Sequence, residues 1–169
     1  SNWGKTFQIG TESGAYLIAP RVVDLAPSTN EGWEAGWKVA LGPAEGRIAA
    51  WKQTATGEIK RKLNDPLGDF DNLGATRRKG FDVQLSAKVP AGLTAWGGVA
   101  WQKAIITKPD PGSPQLAGKE IDHVPHWLFS GGIDFTAIPN LRLSLWGGGQ
   151  SKYELTISNN RGRWGDYMT

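Results

Sequence analysis

The sequence predicts an all-β fold: an antiparallel up-and-down transmembrane β-barrel segment of about eight strands, with short periplasmic turns and long extracellular loops. Three features predict it. Apolar and polar residues alternate with period two over several runs, which puts successive side chains on opposite faces of a sheet. The connections between those runs alternate short and long, as they do when turns gather at one edge of a membrane barrel and loops at the other. No stretch of the chain approaches the roughly 18 consecutive apolar residues of a spanning helix, so a membrane would be crossed by strands.

Composition narrows the function classes. With 23 glycines, 10 prolines and 9 tryptophans in 169 residues, the chain is poor helix material. Its length suits one domain, read as a single barrel region over 1–169. The absence of cysteine removes disulfides, thiolate metal sites and cysteine nucleophiles. A net charge of +3 hides 19 basic residues interspersed with 16 acidic ones, without the basic stripe that a nucleic-acid partner requires. Ser1 to Ile9 lacks the tripartite pattern of a secretory signal.

The strands follow in order. Trp33, Ala35, Trp37, Val39 and Leu41 alternate with Glu34, Gly36, Lys38 and Ala40. Phe81, Val83, Leu85, Ala87 and Val89 alternate with Asp82, Gln84, Ser86 and Lys88, the cleanest run in the chain. Leu93 to Trp101 gives a blurred version with small residues on both faces, and Trp127 to Phe135 repeats the pattern. Leu141, Leu143 and Leu145 begin a phase that extends to Tyr153, Leu155 and Ile157. Weaker strands fit Trp3 to Ile9, Arg47 to Thr56 and a last one near Trp164.

Short turns are expected at Gly42 to Gly46, Pro90 to Gly92 and Ala137 to Asn140, and long loops at Gly10 to Glu31, Gly57 to Ala75 and Thr107 to Pro125. Unstructured loops of that length are uncommon in a compact soluble domain. In a barrel, Trp33, Trp37, Phe81, Trp101, Trp127 and Phe135 would face lipid or form the interfacial belts that aromatic rings favour. Glu34, Lys38, Asp82, Gln84, Lys88, Asp134 and Arg142 would line a wet lumen. The competing account is a soluble sheet with one polar face.

Several stretches resemble the barrel of TonB-dependent receptors. Trp3-Gly4-Lys5-Thr6-Phe7 is similar to the strand before a long external loop, and Asn30 to Lys38 is similar to the family's Asn-Tyr-Glu-x-Gly-x-Lys strand, with Trp for the usual aromatic and one extra residue. Asn72 to Val83 resembles the family's Asn-x-Gly, basic, Gly, aliphatic-acidic-aliphatic run and is the most specific piece. Pro90 to Leu93, Val124-Pro125-His126 and Gly165 to Met168 resemble later positions in the barrel.

The resemblance implies the late part of an outer-membrane receptor that imports a scarce nutrient, a ferric siderophore above all. Its partners would be outer-membrane lipid and lipopolysaccharide, the ferric ligand at the loops, and TonB through an N-terminal part. No plug domain, energy-coupling box or terminal aromatic strand is recognised, and large barrels of this kind have about 22 strands. The expected role is therefore that of a segment, with no cofactor and no enzymatic activity. The alternatives are a small free-standing outer-membrane barrel with an adhesin or structural role, and a secreted β-sandwich that binds carbohydrate on exposed tryptophans.

Candidate chemistry is sparse. His126, Ser130 and Asp134 share a strand face, but four residues of strand span about 13 Å, too far for a catalytic triad. His123 and His126 with Asp122 lack the further ligands a metal needs. Asp65, Asp69 and Asp71 miss the spacing of a calcium loop. Gly147-Gly148-Gly149 lacks the Gly-Lys-Ser/Thr ending of a phosphate loop and suits close packing within a strand. Lys60-Arg61-Lys62 and Arg77-Arg78-Lys79 flank a long loop, where they would meet lipid phosphates or solvent.

Overall fold

The computed structural model describes residues 1–8, 27–61, 70–72, 74–109 and 111–169. Among the described residues twelve strands run in chain order: β1 (Asn2–Gln8), β2 (Ser28–Leu41), β3 (Ala44–Thr56), β4 (Ile59–Arg61), β5 (Phe70–Asn72), β6 (Ala75–Val89), β7 (Leu93–Lys108), β8 (Trp127–Phe135), β9 (Leu143–Gln150), β10 (Tyr153–Glu154), β11 (Arg163–Trp164) and β12 (Tyr167–Met168). A 3-10 turn at Pro114–Leu116 is the one helical element among the described residues.

Eight strands join in a single antiparallel sheet of order β1-β2-β3-β6-β7-β8-β9-β12. The pairs β4-β5 and β10-β11 stand as two-stranded ribbons beyond it. Chain neighbours are sheet neighbours throughout, the up-and-down connectivity expected. The sheet does not close: β1 and β12 keep open edges among the described residues.

Local chemistry sets the hairpins. Between β2 and β3 the turn is only Gly42 and Pro43, with Gly42 at φ +57°, where glycine carries no steric penalty. Ala44, Glu45 and Gly46, expected in the turn, belong to β3 instead, because pairing begins at Leu41 with Ala44. Ala91 and Gly92 turn β6 into β7 with φ of +70° and +73°. A Cβ on Gly92 would stand 2.7 Å from the backbone nitrogen of Ala137, so neighbouring short turns touch there.

Three strands outrun their expected bounds on the loop side, β2 by starting at Ser28 rather than Trp33. β6 starts at Ala75 rather than Phe81, and β7 runs to Lys108 rather than Trp101. The sequence hides this because neighbouring residues there are alike, Arg77 and Arg78 basic and Ile105 and Ile106 apolar, which erases the alternation. The segment Gly57 to Ala75 holds the β4-β5 ribbon, while 62–69 and 73 lie outside the described residues, as do 10–26 of the first long loop. The run expected to continue from Leu145 to Ile157 is broken: β9 ends at Gln150, and Tyr153 pairs with Trp164 in a separate ribbon. The final strand lies at Tyr167 and Met168, paired with Gln150 and Gly149 of β9.

Among the described residues the buried hydrophobic cluster lies on the loop side. Ala104, Ile106 and Ile121 form a buried cluster, with Leu116, Val124 and Ile157 against it. Elsewhere large apolar side chains stay open: Trp37 is 74% exposed, Leu85 63% and Leu145 76%. A β-sandwich buries such a face under a second sheet. No second layer covers it among the described residues.

Two tryptophans instead pack along the sheet onto glycines of the neighbouring strand. A Cβ on Gly80 would lie 2.8 Å from Trp51 Cζ2, and one on Gly132 would lie 2.8 Å from Trp96 Cζ2. At Gly80 the added atom would also run into the carbonyl oxygen of Trp101, which is backbone and cannot swing away. Gly80→Ala is expected to destabilise the sheet by about 1–3 kcal/mol, as overpacking does. The gel temperature at which the folded protein becomes fully SDS-denatured should fall for Gly80→Ala and stay put for Gly4→Ala, where a Cβ meets nothing.

Candidate functional site

Register decides which side chains share a face. From β1 to β12 the partners run without a slip except at Ala75/Thr76 on the loop side, so parity set in one strand holds in the next. Glu34, Lys38, Asp82, Gln84, Lys88 and Asp134 fall on one face, directly opposite such partners as Trp51, Arg47, Ala49, Gly98, Thr94 and Ser144. Arg142, just before β9, reaches the same side through its ion pair with Asp134. Trp33, Trp37, Phe81, Trp101, Trp127 and Phe135 all fall on the other face. The register thus puts seven of these residues on one face of the sheet and six on the other.

On the polar face the charges are knitted together. Arg47 donates to Asp82 at 2.8 Å, Ser86 to Glu45 at 3.2 Å, and Arg142 to Asp134 at 2.9 Å. Ser144 adds a further donor to Asp134. A shallow depression of about 480 Å³ lies among Lys38, Glu45, Arg47, Gln84, Ser86, Trp96 and Ser130. Toward the loops, Arg78 and Thr76 both donate to Glu58, at 3.0 and 2.6 Å.

Sequence reasoning overlooked Arg47 and Glu45, although the two-residue turn at Gly42-Pro43 fixes them opposite Lys38 and Ala40. Trp51, Trp96 and Trp146 also fall on the polar face, although none stood among the lumen-facing candidates. Their glycine partners across the strands are the signal that identifies them.

On the apolar face Phe81 stacks on Trp101 with ring centroids 6.0 Å apart, and meets Trp127 edge-on at the same separation. From Phe81 to Val89 the strand is nine residues long, which falls within the about 9–11 residues of a spanning β-strand. The tryptophan and phenylalanine cluster caps this band on the loop side.

Above the band, the third loop folds back on β7 and is tied to the segment that follows β9. Ile121 N–H donates to the Ala104 carbonyl at 3.0 Å, and Ile106 N–H to that of Lys119 at 2.9 Å. Glu120 is the junction. Its carboxylate pairs with Lys103 at 3.1 Å, His126 at 2.9 Å and Arg163 at 3.3 Å, while Asn159 bonds both its backbone N–H and its carbonyl. Arg163 also holds Glu154 at 3.1 Å. Nothing local in the sequence announces this clamp, because its partners stand up to 43 residues apart.

The remaining candidates disperse. His126 faces Glu120, Asp134 faces Arg142, and Ser130 sits at neither, so the three assemble no catalytic group. His123 lies 3.2 Å from Asp122 and against the Tyr153 ring, and no group of three metal-ligating side chains forms among the described residues. Asp65, Asp69 and Lys62 lie outside the described residues, as do the side chains of Lys60, Arg61 and Asp71. Gly147 to Gly149 pack closely in β9: a Cβ on Gly149 would stand 2.7 Å from the Phe129 ring.

The family model described as TonB dependent receptor-like, beta-barrel matches residues 1–169. This chain belongs to the TonB-dependent receptor β-barrel family. The family is one of outer-membrane receptors and transporters, not of enzymes. No curated protein matches the chain by sequence. Among solved structures it is similar to the ferric citrate transporter FecA in its unliganded form, with a TM-score of 0.66 and 18% identity over 84% of this chain and 22% of that one. It is similar also to BauA, the ferric preacinetobactin receptor of Acinetobacter baumannii, with a TM-score of 0.64 and 22% identity over 84% of this chain and 22% of that one. The FrpB iron transporter of Neisseria meningitidis (F3-3 variant) gives 0.55 and 17%, over 77% of this chain and 20% of that one. The chain spans about a fifth of the length of these solved structures.

The clamp carries a pH dependence. Burial pushes the Glu120 carboxyl up, but the hydrogen bond from Lys103 and the attraction of His126 outweigh it, and the net shift is below the ordinary value of 4.5. A carboxylate shifted down on folding contributes stability that is complete above the unfolded value and is lost as pH falls through the folded one. Amide exchange at Ile121 and Ile106, taken relative to the intrinsic rate at each pH, is therefore expected to be strongly protected at neutral pH and to lose that protection as pH falls through the depressed Glu120 value. Glu120→Ala should speed that exchange about tenfold at neutral pH and remove the acid step, since a charge-assisted hydrogen bond contributes about 1.5–3 kcal/mol.

Proposed function

We propose that this chain forms an arc of the barrel of an outer-membrane receptor that imports an iron complex, a ferric siderophore being the ligand class favoured. One observation carries the reading: the same uninterrupted register puts an exposed apolar band on one face and an ion-paired polar surface on the other. In this reading the band around Trp33, Trp37, Phe81, Trp101, Trp127 and Phe135 meets lipid, because hydrocarbon accepts apolar side chains but not an unpaired backbone. Glu34, Lys38, Asp82, Gln84, Lys88, Asp134 and Arg142 line the wet interior, where charges keep their partners and their water.

Support for an iron complex comes from similarity to proteins titled as iron, ferric citrate and ferric preacinetobactin receptors or transporters. The ligand would be met at the loop edge, where the Glu120 clamp holds two connections in one arrangement and lowers the ordering cost of binding. Coupling to TonB falls to other parts of such a receptor.

Two measurements test this. In the full receptor Leu145→Arg, in the middle of the band, should cost about 2–4 kcal/mol of folding stability in bilayers, while Gln84→Arg on the opposite face should cost less than 1. Equal effects would sink the assignment of the faces. Uptake of a radiolabelled ferric siderophore by cells limited for iron should fall at least tenfold when residues 111–121 are replaced by a short glycine-serine linker; unchanged uptake would remove the loop edge from ligand capture.

A further inference from the structure

Of the two histidines in the chain, one has a ring nitrogen to spare. His126 is enclosed, with Nε2 2.9 Å from the Glu120 carboxylate and the Arg163 guanidinium 3.3 and 3.4 Å from its ring nitrogens. His123 bonds to Asp122 through Nδ1, at 3.2 Å, and no described residue hydrogen-bonds its Nε2. The Asp122 side chain is 1% exposed and that of His123 57%. A carboxylate has no proton to give, so Nδ1 carries the hydrogen. Nε2, on the side of the ring away from the buried carboxylate, is left with a lone pair.

The turn that carries this pair is fixed from both ends. Ile121 N–H donates to the Ala104 carbonyl of β7 at 3.0 Å, and His123 N–H to the Glu154 carbonyl of β10 at 3.0 Å. His123 sits at φ +61°, in the left-handed region that residues with a β-carbon seldom adopt, and strain of this kind collects where ligands are held. The Tyr153 ring lies against the imidazole with centroids 5.2 Å apart and limits its rotation. An imidazole that donates one N–H to a carboxylate has the arrangement of a metal-ligating histidine. No group of three metal-ligating side chains forms among the described residues, so His123 cannot hold an ion by itself. The remaining ligands have to arrive with the metal.

We propose that His123 Nε2 coordinates the metal of an incoming chelate, one whose chelator leaves a position on the metal to water. The water departs, the Nε2 lone pair forms the new bond, and the Nδ1 proton stays in its hydrogen bond to Asp122, so neither a proton nor an electron is transferred. The proposal rests on the reading that the loop edge meets an iron complex, and it narrows that reading to chelates that do not saturate their metal. Iron is among the ions that imidazole suits. A chelator that fills every position offers His123 nothing to displace.

The experiment uses the full receptor in detergent and copper(II) iminodiacetate, a chelate with positions held by water, as the probe. Wild type is expected to bind one chelate more than His123→Asn, since asparagine tolerates the left-handed backbone but supplies no imidazole. The electron paramagnetic resonance spectrum of that difference should show coupling to an imidazole nitrogen. Asp122→Asn should weaken the site about tenfold, as loss of a supporting carboxylate does. Copper(II) held by ethylenediaminetetraacetate, with its positions filled, should not bind there. An equal number of chelates on His123→Asn, undiminished affinity in Asp122→Asn, or equal binding of the saturated chelate would each overturn the proposal. Heat-modifiable gel mobility establishes that every variant is folded, and amide protection at Ile121 that its loop is in place. Unchanged uptake after replacement of residues 111–121 would instead overturn capture at the loop edge, which separates that failure from loss of the histidine site alone.

Discussion

The backbone hydrogen-bond ladder, held in one register across eight strands, is the constraint on which everything else depends. Side chains in a strand alternate with a period of two, so a slip of one residue anywhere would carry an apolar set to the wet face. The ladder slips only at Ala75/Thr76, on the loop side of the aromatic cluster. From there to the short turns, the choice made by Phe81, Val83 and Leu85 is imposed on Ile48 and Ala50 to one side and on Val99 and Trp101 to the other. The two faces are a property of the ladder rather than of any single strand.

This explains both why much of the fold was legible and where legibility stopped. Where one face is apolar and the other polar, as from Phe81 to Val89, the pattern announces strand, phase and face together. The blurred run from Leu93 to Trp101 was readable only because its neighbours were clear: Trp96 breaks the phase, but it does so to lie over Gly132. Beyond the band the two faces cease to differ, Arg77 and Arg78 both being basic and Ile105 and Ile106 both apolar, so alternation vanishes and the strands extend unseen to Ala75 and Lys108. The clamp at Glu120 lay further out of reach, since it depends on partners from β7, the start of β8 and β11 that only the folded loops bring together.

The error after Leu145 has a physical cause of its own. Tyr153, Leu155 and Ile157 keep the odd phase, yet Ser151 already bonds its backbone N–H to the Trp127 carbonyl at 2.9 Å, and the chain then leaves the main sheet. Asn159, at φ +52°, supplies a left-handed turn that returns the chain toward Arg163. Ile157 is spent on the small core with Ile106 and Ile121 instead of on the band. Periodicity records which residues are apolar, and a loop that builds its own core uses the same residues as a strand.

The distribution of burial shows what such an arc relies on. Among the described residues the buried apolar side chains are three alanines and two isoleucines, Ala49, Ala55, Ala104, Ile106 and Ile121, while large ones such as Trp37 and Leu145 lie open on one face. In water that arrangement forgoes most of the hydrophobic stabilisation that folds a soluble domain, and two open edges leave backbone groups to be paired elsewhere. Hydrocarbon around the band and further strands at β1 and β12 would satisfy both demands. The charges are divided in the same way: those on the polar face of the band, such as Asp82 and Asp134, are ion-paired within the sheet, whereas the apolar face carries Lys52, Lys79 and Lys103 on the loop side of Phe81 and Trp101.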